Sequence, residues 1–145
     1  MAEIINCGFK EMCYPVGLNM SSNITTIEQY CNIIQREYSN KPIMLHCMGS
    51  SGAIIAGIIA YKKDNVIINH IKKDGENSHN SRVQTFIDMY NNIIVDDIVA
   101  SGSTVRDILC KYPNDCIFDA LFVSNRCSEM FYSAVKDRIK RLYIQ

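Results

Sequence analysis

Apolar residues recur at helical spacing early in this chain, after about 20 residues without a clear period. The recurring positions are Ile24, Ile27, Cys31, Ile34 and Tyr38. Thr25-x-x-Glu28 has the form of a capping box, so a helix is predicted from Thr25 to the turn at Asn40-Lys41-Pro42. The residues before it are interpreted as irregular, with at most one short strand.

Beyond Pro42 the pattern alternates between short apolar runs and helical stretches. The predicted strands are Ile43–Cys47, Val66–Ile71, Asn92–Val95, Cys116–Ser124 and, as a further candidate, Leu142–Ile144. The predicted helices are Ala53–Tyr61, a short one around Val83–Tyr90, one from Thr104 or Val105 to Tyr112, and one from Ser128 to about Arg138. Such alternation predicts a three-layer, Rossmann-like α/β fold, with a mostly parallel sheet of about five strands between helices. Ligands of such sheets bind at the carboxyl ends of the strands.

Length and composition narrow the class of protein. A chain of 145 residues with 48% hydrophobic residues suits a single domain. It contains no run of 18 apolar residues and no secretory signal, which predicts a cytoplasmic protein without a membrane span. Zero net charge argues against a nucleic-acid or membrane surface. The basic residues from Lys136 to Arg141 are interpreted as a solvated helix face.

The seven cysteines are not expected to carry chemistry. They include no C-x-x-C pair and no zinc-ligand spacing, and in a cytoplasmic chain they should remain reduced. His46 and Cys47 are adjacent at the end of a predicted strand, where neighbouring side chains point to opposite faces. They are therefore not expected to form a base and nucleophile pair.

The strongest candidate site follows the strand Asn92–Val95. Two acids, Asp96 and Asp97, are followed by two apolar residues and then by Ala100–Thr104, which open a helix. Gly102 between hydroxyl residues lets backbone N–H groups form a concave nest at a helix N-terminus, and such a nest suits a phosphate. Like charges repel, so the carboxylates suit hydroxyl groups instead. A phosphate at one end and a diol at the other describe a ribose 5-phosphate.

Two alternatives for this loop carry less weight. It could be an acidic turn before a helix, with no ligand. The paired acids could also hold Mg²⁺ in a phosphotransfer fold, although that would leave the Ser-Gly-Ser-Thr tail unexplained.

The twelve residues Ile93–Thr104 resemble the binding motif for 5-phosphoribosyl-1-pyrophosphate (PRPP) in type I phosphoribosyltransferases. The resemblance implies that Asp96 and Asp97 contact the ribose hydroxyls and act in catalysis. It also implies that the same two acids bind Mg²⁺ indirectly, through those hydroxyls or water. The residues matching the 5′-phosphate loop are Ala100, Ser101, Gly102, Ser103 and Thr104.

Two further segments resemble other parts of that family's site. The loop after the first core strand matches the pyrophosphate loop, here Met48, Gly49, Ser50 and Ser51, without the Arg or Lys that many members carry there. The polar segment Lys72–Arg82 resembles the flexible catalytic loop that folds over the substrates. The resemblance implies a catalytic role for Lys72. Its candidates for pyrophosphate contacts are Lys72, Lys73, Ser78, His79 and Arg82.

The resemblance says less about the acceptor. It implies that Val99, Ser124 and Asn125 lie near the base. Members that act on 6-oxopurines commonly have Asp where this chain has Ala100, which favours an adenine-like or other base. Residues 1–40 are expected to form a small N-terminal hood with the first helix, residues 43–124 the PRPP-binding core, and residues 128–145 a C-terminal helix and strand.

The function predicted on this basis is a Mg²⁺-dependent phosphoribosyltransferase. It would transfer phosphoribosyl from PRPP to a nucleobase-like small molecule and release pyrophosphate. Two alternatives are a regulator that binds PRPP without catalysis and an enzyme that hydrolyses nucleotides. A homodimer is left open, and no nucleic-acid or membrane partner is expected.

Overall fold

The computed structural model describes residues 2–73 and 86–145, which contain six strands and four helices. The strands are β1 (Glu3–Asn6), β2 (Ile43–Met48), β3 (Val66–Ile71), β4 (Asn91–Val95), β5 (Phe118–Phe122) and β6 (Ile139–Ile144). The helices are α1 (Met20–Glu37), α2 (Gly49–Lys62), α3 (Ser103–Cys110) and α4 (Glu129–Val135). The strands form one parallel sheet in the order β1-β6-β5-β4-β2-β3.

The sheet is covered on both faces, and each face has its own apolar core. Alternate β2 residues such as Leu45 and Cys47 pack with α1 and α2, while Met48 packs with α3 and α4 on the other face. Every residue of β2 and β4 is buried, and apart from His46, Asn91 and Asn92 these residues are apolar, as expected for central strands covered on both faces. His46 contacts the rings of Tyr112 and Phe118 on the α3 side. His46 and Cys47 therefore face opposite ways, as predicted.

The chain order creates a switch point between β2 and β4. From β2 the chain passes through α2 to β3 at one edge of the sheet, whereas from β4 it passes through α3 and α4 toward β5 and β6. Crossovers of one hand that run in opposite directions must place their helices on opposite faces, as they do here. The predicted α/β class is confirmed. β1 adds a sixth strand beside β6.

The start of the first helix was predicted wrongly. α1 begins at Met20, after Asn19, so the supposed capping box lies within the helix. Two buried polar side chains of α1 bind the preceding segment instead. Asn23 exchanges two hydrogen bonds of 2.8 Å with the Cys13 backbone, and the Thr26 hydroxyl donates to the Lys10 carbonyl at 2.9 Å. Asn23 and Thr26 thus tether the N-terminal segment to the helix.

Other helices and strands also differ from their predicted boundaries. The predicted loop Met48–Gly52 is the last residue of β2 and the first turn of α2. Of the predicted helix Val83–Tyr90, residues 86–90 are not helical and residues 88–90 form a turn, while residues 83–85 lie outside the described residues. That turn is closed by a hydrogen bond of 3.0 Å from the Tyr90 N–H to the Ile87 carbonyl. Within residues 2–73 and 86–145, no helix is long and apolar enough to cross a membrane.

Candidate active site

The acidic pair Asp96 and Asp97 follows β4 at the switch point of the sheet. Both side chains are almost buried, at 7% and 8% exposure. Each carboxylate accepts a hydrogen bond from the next backbone N–H: Asp97 donates to Asp96 Oδ1 at 2.9 Å, and Ile98 donates to Asp97 Oδ1 at 2.7 Å. These bonds leave carboxylate lone pairs available for a ligand.

Burial makes this pair electrostatically unusual. It raises the pKa of Asp96 to about 8, with further contributions from the hydrogen bond and charge of Asp97. The charge of Lys73 partly opposes this rise in pKa. Near neutral pH the site therefore favours a proton, a cation or hydrogen-bond donors beside Asp96. A ribose diol provides such donors.

The loop after the acidic pair opens α3 without a side-chain cap. Gly102 is the N-cap residue and has a φ of +81°, in the left-handed region that favours glycine. The ring of Phe131 packs so closely that a Cβ on Gly102 would lie 2.5 Å from its Cδ2. Asp96 and Ile98–Val105 line a cavity of about 120 Å³ here. An uncapped helix N-terminus facing a cavity is suited to an anion.

The loop after β2 has a similar design. Gly49 opens α2 with a φ of +76°, and the N-cap Met48 supplies no side-chain hydrogen bond. A second cavity, of about 110 Å³, faces this helix start. Its lining residues are Tyr14, Met48, Gly49, Ser50, Ser51, Lys73, Asp96, Asp97, Ile98 and Thr104. The two cavities share Asp96, Ile98 and Thr104, so the acids lie between two uncapped helix starts.

A cation for the β2 loop comes from the end of β3. A Cβ built on Gly49 would lie 3.2 Å from Cε and 3.4 Å from Nζ of Lys73, so this side chain lies over the glycine. Lys72 lines a different cavity, with Met48, Asp107, Cys110 and Lys111. Among the candidates from the polar segment, Lys73 therefore shares a cavity with the acids. Ser78, His79 and Arg82 lie outside the described residues.

The three residues expected near the base have partners within the protein. The Asn125 amide accepts from the Val99 N–H at 2.9 Å and donates to the Val99 carbonyl at 2.7 Å. Ser124 is fully buried, and its hydroxyl donates to the Asp97 carbonyl at 2.7 Å and accepts from the Met12 N–H at 2.8 Å. These side chains join the loops after β4 and β5.

The fold brings two further tyrosines to the site, Tyr14 and Tyr30, which lie outside the predicted motifs. Tyr14 lines the cavity at the start of α2 and is 71% exposed, although the residues around it are held by α1. The Tyr30 hydroxyl donates to the Asp96 carbonyl at 3.0 Å. Neither belongs to a recognisable motif, because both reach the site only through the path of the N-terminal segment and α1.

The acidic pair alone does not make a closed metal centre. Among residues 2–73 and 86–145, no group of three or more His, Cys, Asp or Glu side chains could hold a metal ion. Mg²⁺, however, commonly binds through one or two carboxylates while substrate phosphates and water supply its other ligands. Asp96 and Asp97 fit an ion that arrives with a phosphorylated substrate.

Comparisons with known proteins bear on the fold. No protein-family model and no curated protein matches the sequence. A solved structure that the chain does match is a hypoxanthine-guanine phosphoribosyltransferase from Bacillus anthracis, with a TM-score of 0.51 and 16% sequence identity. The match covers 92% of this chain and 82% of that enzyme. The two proteins share a fold. At this identity the likeness concerns the fold alone, so function must be argued from the site.

Proposed function

We propose that this protein is a phosphoribosyltransferase that transfers the 5-phosphoribosyl group of PRPP to a nitrogen base and releases pyrophosphate. The observation that carries the proposal is the placement of the buried Asp96–Asp97 pair between two uncapped helix starts. PRPP has a matching order of groups: a phosphate, a diol and a pyrophosphate. The start of α3 would bind the 5′-phosphate, the acids the diol, and the start of α2 the pyrophosphate.

The residues of this chain would position the donor and stabilise charge. Displacement at the anomeric carbon passes through an oxocarbenium-like transition state, and the incoming nitrogen base is the nucleophile. Asp96 and Asp97 would orient the ribose and offset its developing positive charge. The α2 N–H groups and Lys73 would stabilise the charge that accumulates on the leaving group. Mg²⁺ bound with the substrate would supply Lewis-acid stabilisation of the pyrophosphate.

The acceptor is proposed to be a nitrogen heterocycle that is adenine-like rather than a 6-oxopurine. Ala100 has no side chain able to exchange a proton with a purine ring. The polar groups of Ser124 and Asn125 are hydrogen-bonded within the protein, so they do not readily contact the edge of a base. The same observation favours a second candidate function, a regulator that binds PRPP without transferring it.

The test is pyrophosphate release from PRPP and Mg²⁺ across a panel of nucleobases, with the affinity for PRPP measured by calorimetry. We expect turnover with at least one base. Asp96→Asn combined with Asp97→Asn should weaken PRPP binding by more than about 100-fold, since both carboxyl groups proposed to bind the diol are lost. Asp137→Asn, an exposed acid on the segment after α4, is the matched control and should leave binding unchanged.

The outcomes separate the candidate functions. Tight PRPP binding without turnover of any base would replace the enzyme with the regulator. Unchanged PRPP affinity in the double Asn variant would contradict the donor site itself.

A further inference from the structure

The main-chain carbonyls of the acidic pair are each held by a hydroxyl group from another part of the chain. The Tyr30 hydroxyl, from α1, donates to the Asp96 carbonyl at 3.0 Å. The Ser124 hydroxyl, after β5, donates to the Asp97 carbonyl at 2.7 Å. The Ser124 N–H adds a second bond to that carbonyl at 2.8 Å. The turn that carries the two carboxylates is thus held by hydroxyl groups from α1 and from the segment after β5.

Tyr30 is itself held rigidly. Its side chain is fully buried, and its ring packs against Phe9 and Phe122 at centroid distances of 5.0 and 5.4 Å. Burial raises the pKa of Tyr30 well above its usual value, so the phenol remains a donor throughout the physiological range. A fully packed ring whose only polar atom reaches the Asp96 main chain can hold that carbonyl in one place.

Ser124 connects the acidic pair to the N-terminal segment. Besides donating to Asp97, its hydroxyl accepts the Met12 N–H at 2.8 Å. The next residue, Cys13, is fixed through its backbone by Asn23. Tyr14 then enters the cavity that the acids line. One buried hydroxyl therefore sets the position of both the acids and the segment that carries Tyr14.

The acidic pair needs such support. Its two carboxyl groups are buried side by side, and the bonds they accept from the next N–H groups stabilise only a local turn. Without outside contacts this turn would be free to rotate, and rotation would separate the two carboxyl groups. A diol can be bound by both acids only while the turn is held.

We propose that Tyr30 and Ser124 are positioning residues that hold the Asp96–Asp97 turn in the conformation that binds the ribose diol of the donor. This inference rests on the proposed function. It identifies two residues, remote in sequence from the motif, on which the affinity for PRPP depends.

The test compares Tyr30, within α1, with Tyr38, the residue that follows the last turn of α1. Tyr30→Phe removes the bond to Asp96, whereas Tyr38→Phe removes another buried hydrogen bond, of 2.9 Å to the Tyr143 hydroxyl, that lies away from the acids. Both variants should lower Tm by a similar amount. Calorimetry with PRPP and Mg²⁺, well below Tm, should show Kd raised roughly three- to tenfold in Tyr30→Phe and unchanged in Tyr38→Phe, as expected for one lost hydrogen bond.

Ser124→Ala provides a second variant in case either tyrosine variant folds poorly. It should also raise Kd for PRPP, by roughly two- to fivefold, because the Ser124 N–H still donates to Asp97. Equal Kd values in the wild type, Tyr30→Phe and Ser124→Ala would overturn the positioning role while leaving the proposed function intact. If the wild type does not bind PRPP, the proposed function fails and this inference fails with it.

Discussion

The loops after β4 and β2 both lead into a helix that begins without a side-chain cap. They differ in which parts of the chain supply their charged and polar side chains. Each has a glycine at positive φ next to an uncapped helix start, Gly102 in one and Gly49 in the other. The β4 loop carries its own carboxylates and hydroxyls within nine consecutive residues, Asp96 to Thr104. The β2 loop carries no charge, and Lys73 and Tyr14 reach it from elsewhere.

The two sides of the switch point therefore differ in how their side chains are supplied. The proposed phosphate and ribose end is encoded by one continuous segment and closed by buried contacts such as Phe131 against Gly102. The proposed pyrophosphate end is assembled from three separate segments, two of which contribute exposed side chains. We therefore expect the β4 loop to tolerate change poorly and the β2 loop to tolerate it better.

The largest effect is expected from Gly102→Ala. A Cβ at φ +81° is strained and would lie 2.5 Å from the Cδ2 atom of the buried Phe131, which cannot easily move. We expect a loss of about 2–4 kcal/mol in the free energy of unfolding. Gly49→Ala meets only the flexible end of Lys73, at 3.2 Å, and should cost about 1–2 kcal/mol. Denaturant unfolding measures both values.

Gly57→Ala is the control for these two substitutions. Gly57 lies within α2 with no atom within 4 Å of a built Cβ, so alanine there should stabilise the protein by about 0.5–1 kcal/mol. Equal losses of unfolding free energy in Gly102→Ala and Gly49→Ala would show that the two loops are equally constrained. That result would contradict the proposed difference between them.

The same contrast explains what could be predicted from the sequence. The alternation of strands and helices is a local pattern, and it predicted the fold class. The order of groups in the β4 loop is also local, and it predicted a candidate site. The position of Lys73 over Gly49 depends on β3 pairing with β2, and that of Tyr14 on the path of a segment without periodicity. The predicted helix start at Thr25 was wrong, since α1 begins at Met20 and its polar residues Asn23 and Thr26 bind the N-terminal segment through contacts that no local pattern indicates.

A second prediction concerns pH, because an ionisable group is buried in the β4 loop. The pKa of Asp96 is raised to about 8, so its folded form retains a proton that the unfolded chain releases. Stability should therefore fall as pH rises from the usual pKa toward 8. Burial lowers the pKa of His46 to about 4, which opposes this trend only below pH 6.5. Between pH 6.5 and 8 the effect of Asp96 dominates.

In that window we expect the free energy of unfolding of the wild type to fall by about 2 kcal/mol, since a shifted group contributes roughly 1.36 kcal/mol per pH unit. Asp96→Asn should remove the decline and raise Tm at pH 8, as measured by thermal unfolding in matched buffers. A decline of the same size in Asp96→Asn would place the responsible group elsewhere.

The smallest effect is expected from Lys73, the cation that reaches the β2 loop from the end of β3. Lys73→Met keeps most of the side-chain volume but removes the ammonium beside Gly49, so Kd for PRPP should rise about tenfold, with Tm nearly unchanged. Lys72→Met is the matched control, since that neighbour faces another cavity, and calorimetry should show a change below about twofold. A larger effect at Lys72 would reverse the assignment. It would mean that the pyrophosphate end of PRPP lies toward α3, and that the β2 loop relies on its backbone N–H groups alone.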